Sequence, residues 1–491
     1  MIFTSYGYAL FLPVVFLLYW ALPHKYRYIM LTIASLMFYM FGGPAYVGLI
    51  IADAFITWYA ARAVYRTQDD KKKKAVLITA LILCLGMLAF FKYFNFAADT
   101  FFAVLRAFSV PVQDVTAKIL MPAGISFFTF QAAGYCIDVY RGKVAPENNF
   151  IKYLLFVSFF PQIMSGPIGR AGDLMPQLFE ERQFDEAKAS EGLRQMLWGY
   201  AKKLVLADLL TIYVDYIFDN VRFYFGLTLI VATVFFTIQI YCDFSGYSDI
   251  AIGTAKLFNI DLMTNFKSPY YSRTVREFWS RWHISLSTWF RDYVYIPLGG
   301  NRCSELRNYF NLLTTFLLSG LWHGASWTYV LWGALHGVYQ VTEDFCHRHF
   351  GKKEYRNMKE RDIKRSIPWN IGHGILTFGL VSFAWSFFRA NSVQDIFYIV
   401  SHMPRGLGHP VNSYIMMLND TTLYTGKLLR ILMCVAVVMA VDFVALKKNI
   451  FAEFGKLKMP VRWIVYVGLT TFVIVVALNG GVKQQFIYFQ F

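Results

Sequence analysis

Charged residues are scarce in this sequence of 491 residues: only 16% are Asp, Glu, Lys or Arg, whereas 57% are hydrophobic. Soluble domains carry charge on about a quarter of their residues. The sequence has no long polar block that could build a soluble domain, and apolar stretches of about twenty residues recur from end to end. It therefore predicts a polytopic membrane protein with one continuous membrane domain, residues 1–491.

Paired cysteine motifs are also absent. The six cysteines stand singly, without a CxxC pair, so we interpret them as small hydrophobic residues rather than as disulfide or zinc ligands. A metal clip at Cys346–His349 is the alternative, but this stretch lies in a basic polar loop, and we predict no metal site. The formal net charge of +16 resides in short loops, which indicates the positive-inside bias of membrane proteins and argues against nucleic-acid binding.

The apolar pattern predicts an all-α fold of about eleven transmembrane helices, with further helices that are re-entrant or lie at the membrane interface. Residues 311–339 are expected to cross in one or two pieces. No internal repeat is visible, so the pattern does not favour an inverted-repeat transporter. Met1–Arg27 has no basic start and no small-residue cleavage site, and we expect it to be a retained first span.

The basic loops predict how the chain is oriented. They are His24–Arg27, Arg66–Lys74, His347–Arg365 and Lys447–Arg462. Because loops rich in Lys and Arg stay on the cytoplasmic side, we expect the N-terminus to lie outside, together with residues 391–427 and the last residues, 483–491.

Residues 259–311 interrupt the apolar pattern with many Arg, Trp, Tyr and His side chains. If they are read as one helix, one face carries Phe278, Trp282, Ser285 and Trp289, and another carries Arg281, Ser285, Thr288 and Asp292. One interpretation is an amphipathic helix at the membrane interface. The other is a functional segment, because His283 here and His323 further along are titratable groups of a kind that usually faces the interior of a membrane protein.

The two histidines lie in motifs that are typical of a known family. These are EFWSRWHISLSTWFRDYVYIPLGGNR, residues Glu277–Arg302, and LSGLWHGASWTYVLWGALHG, residues Leu318–Gly337. Further blocks follow in the family's order: MPAGISFFTFQAAGYCIDVYRG, FFPQIMSGPIGR, QIYCDFSGYSDIAIG, FFRA and the terminal FIYFQF. Together they resemble the membrane-bound O-acyltransferases, in particular the bacterial alginate O-acetyltransferase type, with a core motif region at residues 239–340.

The resemblance implies a helical membrane enzyme with His323 as its essential histidine and His283 as a second functional one. It implies a funnel from each face that meets near His323, so that an acetyl group activated in the cytoplasm reaches an acceptor outside. The expected donor substrate is acetyl-coenzyme A, with no bound cofactor. An extracytoplasmic hydrolase-like partner of the SGNH type, with a serine nucleophile, would then modify a polysaccharide. The setting would be the lipid of a bacterial inner membrane. Ser280 stands where the usual bacterial form has an arginine.

Acetyl transfer from a thioester to a hydroxyl requires removal of the alcohol proton and stabilisation of an oxyanion. Burial among Trp322, Trp327 and Leu321 is expected to keep His323 neutral and fit to act as a base. Attack by His323 as a nucleophile that carries the acyl group is the alternative. For His283 we expect a second polar role, which is either to orient the acceptor or to assist the oxyanion.

His336 follows in the same apolar stretch, close to the face of His323 if one helix continues. A direct role in the chemistry and a hydrogen bond between helices are both open for it. Arg281, Arg291 and Arg302 could meet the phosphates of coenzyme A, with Trp282 in support, or they could reach lipid phosphates instead.

Asp243 and Asp249 in QIYCDFSGYSDIAIG are carboxylates in an apolar context. Carboxylates at such depth need partners, so we favour a supporting polar network over direct chemistry.

Two other functions remain open at this point. The related enzymes that transfer D-alanine to teichoic acid from a carrier-protein thioester share the two histidine motifs, although IPLGGNR and WHGASW fit the acetyl-transferring type better. A transporter or channel without bond chemistry is an alternative of a different class, in which intramembrane His and Asp would relay protons or substrate.

Overall fold

Helices account for every regular element that the computed structural model describes, which covers residues 1–110, 119–350, 366–421, 423, 425–479 and 486–487. The α-helices are α1 Tyr6–Ala21, α2 His24–Met40, α3 Val47–Arg66, α4 Asp70–Ala107, α5 Ile125–Tyr140, α6 Phe150–Ser158, α7 Ala171–Phe179, α8 Glu186–Tyr200, α9 Asp208–Phe218, α10 Leu227–Leu257, α11 Val275–Trp279, α12 Ile284–Phe290, α13 Glu305–His323, α14 Trp327–His349, α15 Ile367–Arg389, α16 Val393–His402, α17 Pro410–Asp420, α18 Thr425–Ala445, α19 Ile450–Gly455 and α20 Met459–Asn479. Short 3-10 turns occupy Pro44–Tyr46, Val221–Phe223 and Pro269–Tyr271, and π-helical turns occupy Ala201–Ala207 and Arg291–Tyr295. The all-α prediction is confirmed.

Six helices of the described chain are long and apolar enough to cross a membrane. They are Pro44–Arg66, Asp70–Ala107, Leu227–Leu257, Ile367–Arg389, Thr425–Ala445 and Met459–Leu478. Such helices satisfy all of their backbone hydrogen bonds internally, as the hydrocarbon core requires. The chain is thus a multi-pass membrane protein, whereas the expected count of eleven spans is not confirmed.

The helices fall into two compact units. The first contains residues 1–196 and 250–263, and the second contains residues 197–249 and 264–491. The interpretation of the whole chain as a single domain stays a prediction. In the first unit, the Tyr153 hydroxyl on α6 donates to Thr57 Oγ1 on α3 at 2.8 Å, and the Cys136 thiol on α5 donates to the Thr57 carbonyl at 3.3 Å. These bonds join three helices, and the predicted role of this cysteine as a small buried residue agrees with its position.

The second unit holds the residues of the candidate site around an aromatic core. Trp282, Trp332 and Trp385 are fully buried there, and Phe388 lies beside them. Trp332 on α14 stacks on Trp385 of α15, with ring centroids 5.6 Å apart, and Trp282 also contacts Trp385, at 5.0 Å. Large aromatic side chains dominate the energetics of such cores, so the region around α14 and α15 forms a firm scaffold for the site.

Residues 275–290 differ from one of the two interpretations of the polar segment 259–311. Residues 275–290 do not form one amphipathic helix, because α11 ends at Trp279 and α12 begins only at Ile284. His283 stands at the break with φ 44° and ψ 53°, in the left-handed region. The stretch from Asn265 takes part of the backbone bonding instead: Ile284 N–H donates to the Asn265 carbonyl, and Lys267 N–H donates to the Arg281 carbonyl, both at 2.9 Å. The continuous helix was wrong because a distant segment competes for these backbone groups.

Helices α13 and α14 pack at very close range because glycines line their contact. A Cβ atom added at Gly320 would overlap the backbone oxygen of Tyr329, and one added at Gly333 would overlap that of Phe316. Small residues allow the backbones of two helices to approach in this way. The contact fixes the end of α13, where His323 is the last residue.

We expect Gly320→Ala to destabilise the protein by about 2–3 kcal/mol, because the new methyl group meets backbone that cannot move aside easily. Thermal unfolding in detergent, followed by tryptophan fluorescence, measures the effect. Gly379→Ala on α15 is the matched control, since no atom lies within 4 Å of the position of its Cβ. If both variants unfold at the native temperature, the close packing of α13 and α14 is not important for stability.

Candidate active site

His283 and His323 come together in the second unit, although they belong to different elements. Their ring centroids are 6.5 Å apart, and both side chains are buried, with 0% and 3% of their surfaces exposed. His323 is placed by the end of α13, and His283 is placed by the turn between α11 and α12. The two histidines of the motifs are therefore close together in the fold, at a distance that one small substrate group can bridge.

Aromatic rings enclose His323. Its ring centroid lies 5.0 Å from Trp322, 5.0 Å from Trp332 and 5.4 Å from Phe388, each in an edge-to-face arrangement. Of the predicted neighbours, Trp322 is confirmed, whereas Trp327 is 52% exposed and begins the next helix, and Trp332 and Phe388 were not predicted. An apolar enclosure of this kind disfavours a charged imidazole, so the structure provides the surroundings that a neutral base needs.

His283 is held by hydrogen bonds in addition to aromatic contacts. Its Nδ1 lies 3.2 Å from Asn265 Oδ1, and its ring is 4.7 Å from Phe244 and 5.9 Å from Trp322. The residue lies outside the candidate spans, and burial lowers the pKa of His283 from 6.5 to about 3. The ring is therefore neutral at pH 7.

His336 does not share a helix with His323, since α13 ends at His323 and α14 begins at Trp327. The expectation that both lie on one helical face is wrong for that reason. The ring of Trp332 separates them, with its centroid 5.0 Å from His323 and 4.9 Å from His336. Trp279 Nε1–H donates to His336 Nδ1 at 3.2 Å, which is the hydrogen bond between helices that the sequence left open.

Asp243 and Asp249 on α10 are paired with lysines that sequence reasoning missed. Lys203 Nζ lies 2.5 Å from Asp243 Oδ1 and 2.8 Å from Asp208 Oδ1, and Lys202 Nζ lies 2.6 Å from Asp249 Oδ2. Both lysines sit in the π-helical turn 201–207. Their signal in the sequence is an adjacent Lys pair inside an otherwise apolar run. Buried charges of this kind must be paired, and the geometry agrees with the predicted supporting network.

The three predicted phosphate-binding arginines are in different environments. Arg281 is mostly buried and bonds Glu277 Oε1 at 2.8 Å. Arg291 is largely exposed and pairs with its neighbour Asp292 at 2.8 Å. Arg302 is exposed, and within the described residues its side chain has no ion-pair partner. Of the three, Arg302 is the one whose charge is available to an anionic substrate.

Trp282 is fully buried and stacks on Phe278, with ring centroids 5.4 Å apart. It therefore supports the core of the second unit. Within the described part of the chain, no group of three His, Cys, Asp or Glu residues is arranged to hold a metal ion. Cys346 is an exposed free thiol.

Comparison with known proteins places this site in a family. Residues 145–371 match the model of the membrane-bound O-acyltransferase family. The chain is 38% identical to a probable alginate O-acetylase of Azotobacter vinelandii, over 80% of this chain and 76% of that protein. It is 33% identical to a peptidoglycan O-acetyltransferase of Helicobacter pylori, over 80% and 77% of the two chains. It is 28% identical to a teichoic acid D-alanyltransferase of Streptococcus thermophilus, over 68% and 79%. The chain belongs to the membrane-bound O-acyltransferase family and is an O-acyltransferase.

Proposed function

We propose that this enzyme takes an acetyl group from a cytoplasmic thioester, acetyl-coenzyme A, and passes it across the membrane for O-acetylation of an extracytoplasmic polysaccharide. The observation that carries the proposal is the pair of buried histidines, His283 and His323, in an aromatic enclosure. Support for acetyl rather than D-alanyl transfer comes from the greater identity to relatives named as alginate or peptidoglycan O-acetyltransferases.

The chemistry follows from the two buried imidazoles. An acceptor hydroxyl attacks the acetyl carbonyl, and a C–O bond forms as the bond to the thiol sulfur breaks. His323 removes the hydroxyl proton, and that proton is then available to the leaving thiolate. General-base help of this kind contributes about two to four orders of magnitude to the rate. In the alternative route, His323 attacks the thioester first and carries the acetyl group to the hydroxyl.

The proposal includes the setting of the reaction. The basic loops favour an orientation with the N-terminus outside, in the inner membrane of a bacterium. The first acceptor is then a serine of an extracytoplasmic SGNH-type partner, which transfers the acetyl group to the polysaccharide. The relatives are named for two different polymers of this class, alginate and peptidoglycan.

Arg302 provides a test of the donor. In liposomes that contain the purified enzyme and radiolabelled acetyl-coenzyme A, we expect Arg302→Gln to raise the KM for the donor about fivefold to tenfold at an unchanged kcat, because one contact to phosphate is lost. Arg307→Gln is the control, since Arg307 is also exposed and contacts the Leu298 carbonyl at 3.4 Å and the Phe310 ring at 5.3 Å. Failure of the native enzyme to consume acetyl-coenzyme A, with an acyl-carrier thioester accepted instead, would contradict the donor assignment.

A further inference from the structure

Asn265 is the residue that bonds the imidazole of His283, and neither the motifs nor the comparisons single it out. It is fully buried, with 0% of its surface exposed, and lies in the segment between α10 and α11. Its side-chain oxygen lies within hydrogen-bond distance of three groups: the Ser285 N–H at 3.2 Å, the Ser285 hydroxyl at 2.8 Å and His283 Nδ1 at 3.2 Å. Its amide nitrogen donates to Ser248 Oγ at 3.3 Å.

These contacts define which atom of the amide faces His283. A backbone N–H can only donate, so the atom that bonds the Ser285 N–H must be the oxygen of the Asn265 amide. An amide oxygen can only accept. His283 Nδ1 must therefore carry a proton in order to bond it. In a neutral imidazole only one nitrogen is protonated, so Nε2 holds a lone pair.

We propose that Asn265 is a positioning residue that fixes His283 in the Nδ1–H tautomer, so that Nε2 accepts the hydrogen bond of the acceptor hydroxyl and orients it as it binds, before the same proton turns to His323 for removal. This inference rests on the proposed function and makes it more specific. It selects one of the two roles expected for His283. A nitrogen that holds a lone pair can orient a hydroxyl, but it cannot donate a hydrogen bond to an oxyanion.

The backbone supports the same placement. The N-cap of α12 is His283 itself, and its side chain makes no capping bond. Asn265 satisfies the first N–H groups of α12 instead: its carbonyl accepts from Ile284 at 2.9 Å, and its side chain accepts from Ser285. The unpaired N–H groups at a helix start require such partners. A left-handed φ at a non-glycine residue such as His283 is also unfavourable, so Asn265 stabilises a turn that would otherwise relax.

The charged groups near His283 do not compete with this arrangement. The titratable ring that faces it is that of His323. On α10, which contributes Phe244, the carboxylates of Asp243 and Asp249 are paired with Lys203 and Lys202. The tautomer of His283 is thus decided by the amide oxygen that bonds its Nδ1.

The first test observes the tautomer directly, independent of activity. In ¹⁵N-histidine-labelled enzyme at pH 7.5, the His283 signals are identified by their loss in His283→Gln. We expect a protonated Nδ1 and an unprotonated Nε2 in the native enzyme, and the opposite or a mixed state in Asn265→Leu. An Nε2–H tautomer in the native enzyme, or the same tautomer in Asn265→Leu, would overturn the proposal.

The second test measures acyl transfer. Asn265→Leu is expected to lower kcat about 100-fold, because His283 no longer holds the acceptor hydroxyl in the orientation for reaction. Ser285→Ala removes the buried hydroxyl that also donates to this oxygen, and we expect kcat to change less than about threefold, because the Ser285 N–H and His283 Nδ1 still bond the oxygen. Asn265→Asp restores an acceptor oxygen at the same place, but its charge raises the pKa of His283, so that activity returns only at higher pH, with the acid limb moved up by about one pH unit or more.

The two tests distinguish failure of this inference from failure of the proposed function. A native enzyme with the Nδ1–H tautomer that transfers no acetyl group contradicts the function and leaves the placement by Asn265 supported. An active native enzyme whose pH profile and kcat are the same in Asn265→Leu contradicts the positioning role alone.

Discussion

His323→Ala is expected to reduce acyl transfer by about a thousandfold or more, whereas the protein remains folded. The imidazole of His323 is the proposed base for the acceptor hydroxyl, and its loss removes the contribution of about two to four orders of magnitude that a general base makes. Transfer of label from acetyl-coenzyme A in liposomes measures the effect. The surrounding rings of Trp332 and Phe388 remain in contact with each other, at 5.3 Å, and limit the structural change.

The control is a histidine of the same unit outside the site. His402 on α16 stacks on Tyr398 at 3.8 Å, and His402→Ala should retain at least half of the activity. If His323→Ala retains more than a tenth of native activity, His323 is neither the base nor the acyl carrier. Acid quenching and mass spectrometry then distinguish the two routes in the native enzyme: an acetylated His323 and ping-pong kinetics indicate a nucleophile, and their absence indicates a base.

Lys203→Met is expected to destabilise the protein by about 3–5 kcal/mol, because removal of one partner leaves an uncompensated buried charge. The side chains of Lys203 and Asp243 are only 1% and 3% exposed. Asp243 also accepts the Ile487 N–H at 2.8 Å, so the same carboxylate holds a residue near the end of the chain. We expect the apparent melting temperature in detergent to fall by about 5 °C or more.

Two further variants test whether the destabilisation in Lys203→Met comes from an unpaired buried charge and not from lost packing. Lys456→Met removes a lysine from an ion pair with Glu453 in which both side chains are exposed, 69% and 42%, and should cost less than about 1 kcal/mol. Adding Asp243→Asn to Lys203→Met removes the more deeply buried of the two stranded carboxylates, leaves only Asp208, and keeps an oxygen for the Ile487 N–H, so the double variant should be more stable than the single one. Equal losses in the single and double variants would show that packing, and not charge, explains the effect.

Several features of the site could not be predicted from the sequence, for a common reason. Asn265 bonds His283 across a break in the helix, and Lys203 bonds Asp243 from a different helix. Periodicity describes only which residues of one element share a face. Periodicity does not show which distant segment hydrogen-bonds a given backbone group. For that reason, the interpretation of the residues around His283 as one continuous helix was wrong.

The sequence by itself determined the class and the family. Scarce charge and long apolar stretches require helices in a membrane, because only internally bonded backbone is stable in lipid, and the motifs around His283 and His323 identified an O-acyltransferase. The tertiary structure alone decided what surrounds each histidine. Trp332 and Phe388, which are distant from His323 in the pattern of its motif, enclose its ring, since α13 ends at His323 and the chain turns before α14. Burial and hydrogen bonds set the protonation of an imidazole, and both arise from contacts between elements that are far apart in the chain.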